Sequence, residues 1–179
     1  MVGARGTGKT THQKKIIKRY ADNGGRVLIL PSSKYEPTFK RVPRIKIQKI
    51  ATFNGIAAID IEDDAHLAKV LDRCDKLLLV ADDVKGYMHR ANIHPKVRQG
   101  LISSRHRKVD IIFACHGFTQ VPPDLFLYID LIWCFRTDDS PKRQRDKFRD
   151  LDNILEVQER VRRQAQSNPY HVEIINNQT

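Results

Sequence analysis

The sequence predicts an α/β fold: a mainly parallel central sheet flanked by helices. Three observations predict it. Residues 3–10 carry a complete G-x-x-x-x-G-K-[ST] pattern running straight into a helical stretch. Short apolar runs at 26–30, 76–81, 109–115 and 129–135 have the length of buried strands, and several end in charged or polar residues. Helix, glycine stop and apolar strand follow one another in the rhythm of βα units. With 179 residues the chain is expected to form a single domain, 1–179, closing with a helix and a strand over 141–179.

The first ten residues hold the most specific pattern. Glycines 3, 6 and 8 allow backbone conformations in which successive N–H groups converge on a phosphate. Lys9 adds a mobile positive charge for the outer phosphates, and the Thr10 hydroxyl suits a magnesium ion. The helix expected at 10–21 sets the positive end of its dipole beneath them. The predicted phosphate-binding set is therefore Gly3, Ala4, Arg5, Gly6, Thr7, Gly8, Lys9, Thr10 and Thr11, for ATP with Mg2+. Such a loop ordinarily follows a buried strand, whereas Met1 and Val2 alone precede it here. Either that mid-sheet strand is lacking or the sequence begins later than the natural protein does.

Asn23-Gly24-Gly25 stops the helix, and 26–30 is a buried strand broken by Pro31. Residues 31–55 hold three prolines and a basic set, Lys34, Lys40, Arg41, Arg44, Lys46 and Lys49, with Tyr35 and Phe39 interleaved. Aromatics among basic residues either stack bases or anchor an irregular surface excursion. Ile45, Ile47 and Ile50 hint at a short strand. A further strand is expected at 56–61, then a helix over 62–74 with Leu67, Val70, Leu71 and Cys74 on one face.

Five apolar residues before Asp82 and Asp83 describe a strand that delivers two carboxylates to its C-terminal edge, where parallel sheets bind ligands. Beside a phosphate loop this is the Walker B arrangement: Asp82 supports the magnesium shell, and Asp83 orients the attacking water or takes its proton. Residues 86–92 read as loop and 95–105 as helix despite Gly100. A basic knot, Arg105-His106-Arg107-Lys108, precedes the strand at 109–115. His116 ends that strand, placed to contact or sense a γ-phosphate. After a rigid Val-Pro-Pro connector come a strand at 129–135, a helix from Lys142 towards Gln166 begun by Ser140-Pro141, and a last strand at 170–175.

Thirty-two Lys and Arg against 21 Asp and Glu give a formal net charge of +11, which favours a polyanionic partner, nucleic acid first. No stretch approaches the roughly 20 apolar residues that span a bilayer, and no apolar leader precedes the loop, so the protein is expected to be soluble and intracellular, with no membrane span. Cys74, Cys115 and Cys134 are isolated and flanked by apolar runs, and read as buried reduced thiols.

These residues suggest a family. The glycine loop, the strand ending Asp82-Asp83, the helix ending Ser104-Arg105-His106-Arg107, the strand ending at His116, the Val121-Pro-Pro-Asp-Leu125 connector and the strand closed by Arg136 together cover residues 1–138. In that order they resemble the FtsK/HerA superfamily of DNA-pumping ATPases and, in small size, viral genome-packaging ATPases. The resemblance implies a RecA-like sheet in a homo-oligomeric ring, pentamer or hexamer, with ATP at subunit boundaries. It also implies double-stranded DNA as partner, capsid vertex proteins as further contacts, and a place in the host cytoplasm or at the packaging vertex of a virion. Arg105 takes the role of arginine finger, with Arg107 the alternative. His116 stands where such ATPases often carry a glutamine sensor. Two other readings fit the same loop: a nucleotide or nucleoside kinase, and a nucleotide-switched nucleic-acid-binding assembly protein.

Overall fold

Large aliphatic side chains fill β1 (Arg26–Leu30) and β3 (Leu77–Ala81), and burial along almost their whole length sets them in the middle of a sheet. The computed structural model describes residues 1–33, 37–86, 88 and 93–177. β1 pairs in parallel with β2 (Ile56–Ala58), from Val27↔Ile56 to Ile29↔Ala58. On its other side β1 pairs with β3, from Arg26↔Leu77 to Leu30↔Ala81. β3 pairs in turn with β4 (Val109–Phe113), and the resulting parallel sheet has the order β2-β1-β3-β4.

The chain forms two compact units, residues Thr10–Phe113 and residues Met1–Lys9 with Ala114–Thr179. The first holds the four-stranded sheet. α1 (Lys9–Asp22) lays Ile17 on Val27, Ile29, Leu78 and Val80. Its end is a Schellman turn: Gly25 N–H donates to Tyr20 O and Gly24 N–H to Ala21 O, with Gly24 at φ +77°. α2 (Asp64–Arg73) starts where the Asp63 carboxylate accepts from His66 N at 2.7 Å. α3 (Pro95–Ser104) contains Gly100 because α2 passes too close for a side chain: a Cβ there would lie 2.9 Å from Leu71 Cβ.

Arg107, the alternative finger of the sequence reading, binds this helix pair together. Its guanidinium donates to Leu71 O at 2.6 Å, Asp72 O at 2.7 Å, Gly100 O at 3.3 Å and Ser103 Oγ at 2.8 Å. The first two are last-turn carbonyls of α2, a helix end that a cation suits; Leu71 O also accepts from Cys74 N at 3.3 Å.

Three expectations change in this unit. The strand hinted at 45–50 is a single bridge, Arg44↔Ala58, followed by a 3-10 turn at Ile47–Lys49. Phe39 is core, packed in the cluster with Ile17 and Val27, so it anchors the excursion and is not offered to bases. β2 stops at Ala58; Ile59 is still buried and donates to Ile29 O at 3.0 Å, and the chain becomes exposed at Asp60. Lys34 and Tyr35 of the basic set, and residues 87 and 89–92 of the expected loop, lie outside the described residues.

In the second unit β5 (Leu131–Phe135) and β6 (Val172–Asn176) form an antiparallel pair, from Leu131↔Asn176 to Phe135↔Val172. The long helix expected from Lys142 is broken. A 3-10 turn spans Pro141–Lys147, and α4 (Leu151–Gln164) begins anew with Asp150 accepting from Asn153 N at 2.9 Å. Phe148 makes the break. It turns inward onto Phe126 and Phe118, with ring centroids 4.6 and 5.9 Å away, and burying that ring outweighs continuing the helix.

Cys74, Cys115 and Cys134 are buried free thiols. Burial pushes the Cys74 thiol up to about 12, against the pull of Arg107 and Arg26, and burial with nearby Glu173 does the same to Cys134. The unfolded chain ionises first as pH rises, so their contribution is complete below about pH 8.5 and declines towards pH 12. Unfolding titrations should show stability falling by about 1.4 kcal/mol per thiol per pH unit between roughly 9 and 12. In urea at neutral pH, Arg107→Ala is expected to cost about 1.5–3 kcal/mol by removing the charged donor to Asp72 O and the tie between α2 and α3.

Candidate functional site

Backbone pairing fixes the approach to the glycine loop. Val2 bridges in parallel to both Cys115 and Cys134. Val2 N donates to Trp133 O at 2.9 Å and Phe135 N to Val2 O at 2.8 Å; on the other side Cys115 N donates to Met1 O at 3.0 Å and Gly3 N to Cys115 O at 3.2 Å. Ala4 N continues the first side, donating to Arg136 O at 2.8 Å. Val2, shortly before the loop, is thus paired on both sides.

The loop itself depends on its glycines. Gly3 is pressed on β5, where a Cβ would come 2.5 Å from Phe135 Cβ. Gly6 and Gly8 sit at φ +76° and +93°, the left-handed region from which consecutive N–H groups can form an anion-binding concavity. Thr7, buried, donates from Oγ1 to Ala4 O at 2.8 Å, while Arg5 and Gly6 form the exposed tip. Lys9 is only 8% exposed. Its ammonium donates to Gly3 O and, at 2.8 Å, to Ala4 O, and lies 3.5 Å from His116 Nδ1, which faces it as an acceptor. The structure therefore joins Lys9 to His116, two residues the sequence singled out separately.

Neighbouring loops are braced by residues that sequence reasoning missed. Asp139 Oδ2 accepts from Thr119 N at 2.7 Å and Thr119 Oγ1 at 2.8 Å, holding the segment after His116. Gln158, buried in α4, donates to Thr137 O at 3.2 Å and Asp139 O at 2.7 Å, holding the segment after β5. Nothing in the local pattern distinguishes Gln158 from the polar residues on α4's outer face. Tyr170, before β6, lies against Gly8.

The remaining predicted residues belong to the unit of the parallel sheet. Thr10 and Thr11 open α1, whose first turn has no acidic residue to offset the dipole. Asp82 follows directly on β3, its N–H donating to Leu30 O at 2.9 Å. Asp83 has φ +51°, a left-handed conformation that aspartate tolerates better than most residues and that concentrates at functional sites. Arg105, exposed, caps the end of α3.

The glycine loop and its lysine fit a polyphosphate. Left-handed glycines, a buried ammonium held by weak carbonyl acceptors and an uncompensated helix N-terminus all suit a polyphosphate. Among the described residues no group of three or more His, Cys, Asp or Glu could hold a metal ion. Magnesium with a nucleotide needs none, since it keeps waters and takes phosphate oxygens with one or two protein oxygens.

No family model matches the chain, nor does any curated protein sequence. Solved structures do. The genome packaging NTPase B204 from Sulfolobus turreted icosahedral virus 2, in complex with AMPPCP, is similar over 98% of this chain and 90% of that one, with a TM-score of 0.78 and 16% sequence identity. The same protein in complex with ATP-gammaS aligns over 99% and 90%, with a TM-score of 0.74 and 17% identity. B204, the DNA-packaging ATPase from Sulfolobus Turreted Icosahedral Virus, aligns over 98% and 90%, with a TM-score of 0.71 and 14% identity. At identities this low the likeness shows the fold alone: an α/β fold with a four-stranded parallel sheet flanked by helices.

Gly3→Ala should be among the most damaging single-methyl additions in this unit. Its Cβ has no room beside Phe135, so a loss of about 1–3 kcal/mol in unfolding free energy is expected.

Proposed function

We propose that this chain is an ATP-hydrolysing motor that moves double-stranded DNA, packaging a viral genome into a capsid. The observation that carries the reading is the buried Lys9 ammonium, held by loop carbonyls beside His116, in a fold similar over 98% of the chain to a genome packaging NTPase. The +11 charge supports a polyanionic partner.

In this reading residues 3–9 bind the phosphates, with Gly6 and Gly8 allowing the backbone to close on them. Lys9 exchanges its carbonyl acceptors for phosphate oxygens, which are stronger because they are charged. Thr10 and Asp82 hold magnesium, which when bound neutralises charge on the outer phosphates. Asp83, in its left-handed conformation, orients water for attack. His116 senses the γ-phosphate through Lys9: when the ammonium turns to phosphate, the imidazole loses that neighbour. Arg105 acts in trans as the finger of an adjoining subunit in a pentameric or hexameric ring. It is preferred to Arg107, whose two terminal nitrogens donate to carbonyls of α2 and α3. Catalysis is then positioning and electrostatics, with no covalent intermediate. Capsid vertex proteins are the proposed docking partners, and the host cytoplasm or the packaging vertex the proposed location; no helix among the described residues is long and apolar enough to cross a membrane.

Phosphate release should rise when duplex DNA is added, at a solution mass corresponding to a ring. Lys9→Ala should abolish turnover. Arg105→Ala should reduce it by about 10³-fold or more while ATP still binds. Stimulation by a nucleoside in place of DNA would instead mark a kinase, and normal turnover in Arg105→Ala would remove the finger.

A further inference from the structure

An exposed aromatic ring stands beside the glycine loop. Tyr170 is 61% exposed, although the turn carrying it is firmly held. Its N–H donates to Asn168 Oδ1 at 3.2 Å, and His171 N donates to Asn168 O at 2.9 Å, so Asn168-Pro169-Tyr170-His171 is a closed Asx turn. Just beyond, Glu173 accepts from Arg160 of α4 at 2.9 and 3.1 Å and lies 3.5 Å from His171 Nε2. The ring rests on the loop: a Cβ built at Gly8 would lie 3.3 Å from Tyr170 Cδ1 and 3.8 Å from Cγ. Gly8 immediately precedes Lys9. One flank of the lysine loop is therefore a solvent-facing aromatic surface on a fixed support, where a core role for the ring is excluded by its exposure.

We propose that Tyr170 stacks on the base of the bound nucleotide and gives the site its preference for a purine nucleoside triphosphate. This rests on the nucleotide reading above. A cradle of backbone N–H groups and one ammonium recognises phosphate alone and treats all polyphosphates alike. A tyrosine face adds a second point of attachment that only a ligand with a base can use. Stacking tolerates any base and strengthens with ring area, so adenine and guanine gain more than cytosine or uracil. Gly8 serves both contacts, because a side chain there would strain the left-handed backbone and displace the ring.

Equilibrium binding of ATP, CTP and inorganic tripolyphosphate to the wild-type chain, Tyr170→Ala, Tyr170→Phe and Lys9→Ala tests this. Tyr170→Ala should weaken ATP by about 5- to 150-fold, the equivalent of roughly 1–3 kcal/mol per stacked base. It should weaken CTP less and leave tripolyphosphate unchanged, while Tyr170→Phe restores ATP affinity. Lys9→Ala should weaken all three ligands. Wild-type ATP affinity in Tyr170→Ala overturns the stacking proposal and leaves the phosphate cradle standing. Equal weakening of ATP and tripolyphosphate in Tyr170→Ala also overturns it, since the ring would then merely support the loop. If Lys9→Ala binds all three normally, the nucleotide reading itself fails.

Discussion

A buried ammonium needs acceptors, and Lys9 finds them in Gly3 O and Ala4 O because residues 1–4 are hydrogen-bonded along both sides. Cys115 bonds one side; Trp133, Phe135 and Arg136 bond the other. That pairing sets the course of the loop before any side chain is considered. Gly3 has to be glycine because Phe135 is where the pairing puts it, and Thr7 folds back to Ala4 within the same short arc. Loosening the pairing would leave the lysine charge without a fixed position.

Carbonyl oxygens are adequate partners for an ammonium but weaker than a phosphate oxygen. His116 shares that neighbourhood, its Nδ1 lying 3.5 Å from the ammonium. In the other unit strain is visible at Asp83, whose left-handed backbone follows a strand buried from end to end. A strand held that firmly can support an unfavourable residue at its tip.

Two arginines in one basic knot have different fates for physical reasons. Arg107 reaches the last-turn carbonyls of α2 and becomes part of the packing of α2 on α3, which Gly100 already brings close. Arg105, two residues earlier at the end of α3, remains exposed. Composition describes both as surface charge. Phe39 and Phe148 give the same lesson for aromatics: one interleaved with basic residues is core, and one inside the helix expected from Lys142 interrupts it to join Phe118 and Phe126.

What the sequence determined by itself was local. The glycine loop, the Asn23-Gly24-Gly25 stop, the strands at β1, β3 and β4, and the Asp82-Asp83 pair behind β3 all follow from side-chain volume, turn chemistry and periodicity over a few residues. Tertiary structure alone decided that Val2 pairs on both sides, that Lys9 meets His116 across 107 positions, that Gln158 and Asp139 brace the adjoining loops, and that Tyr170 lies on Gly8. Those contacts join residues far apart in the chain. Their energies depend on which backbone segments pack beside one another, and no window of neighbouring residues carries that information.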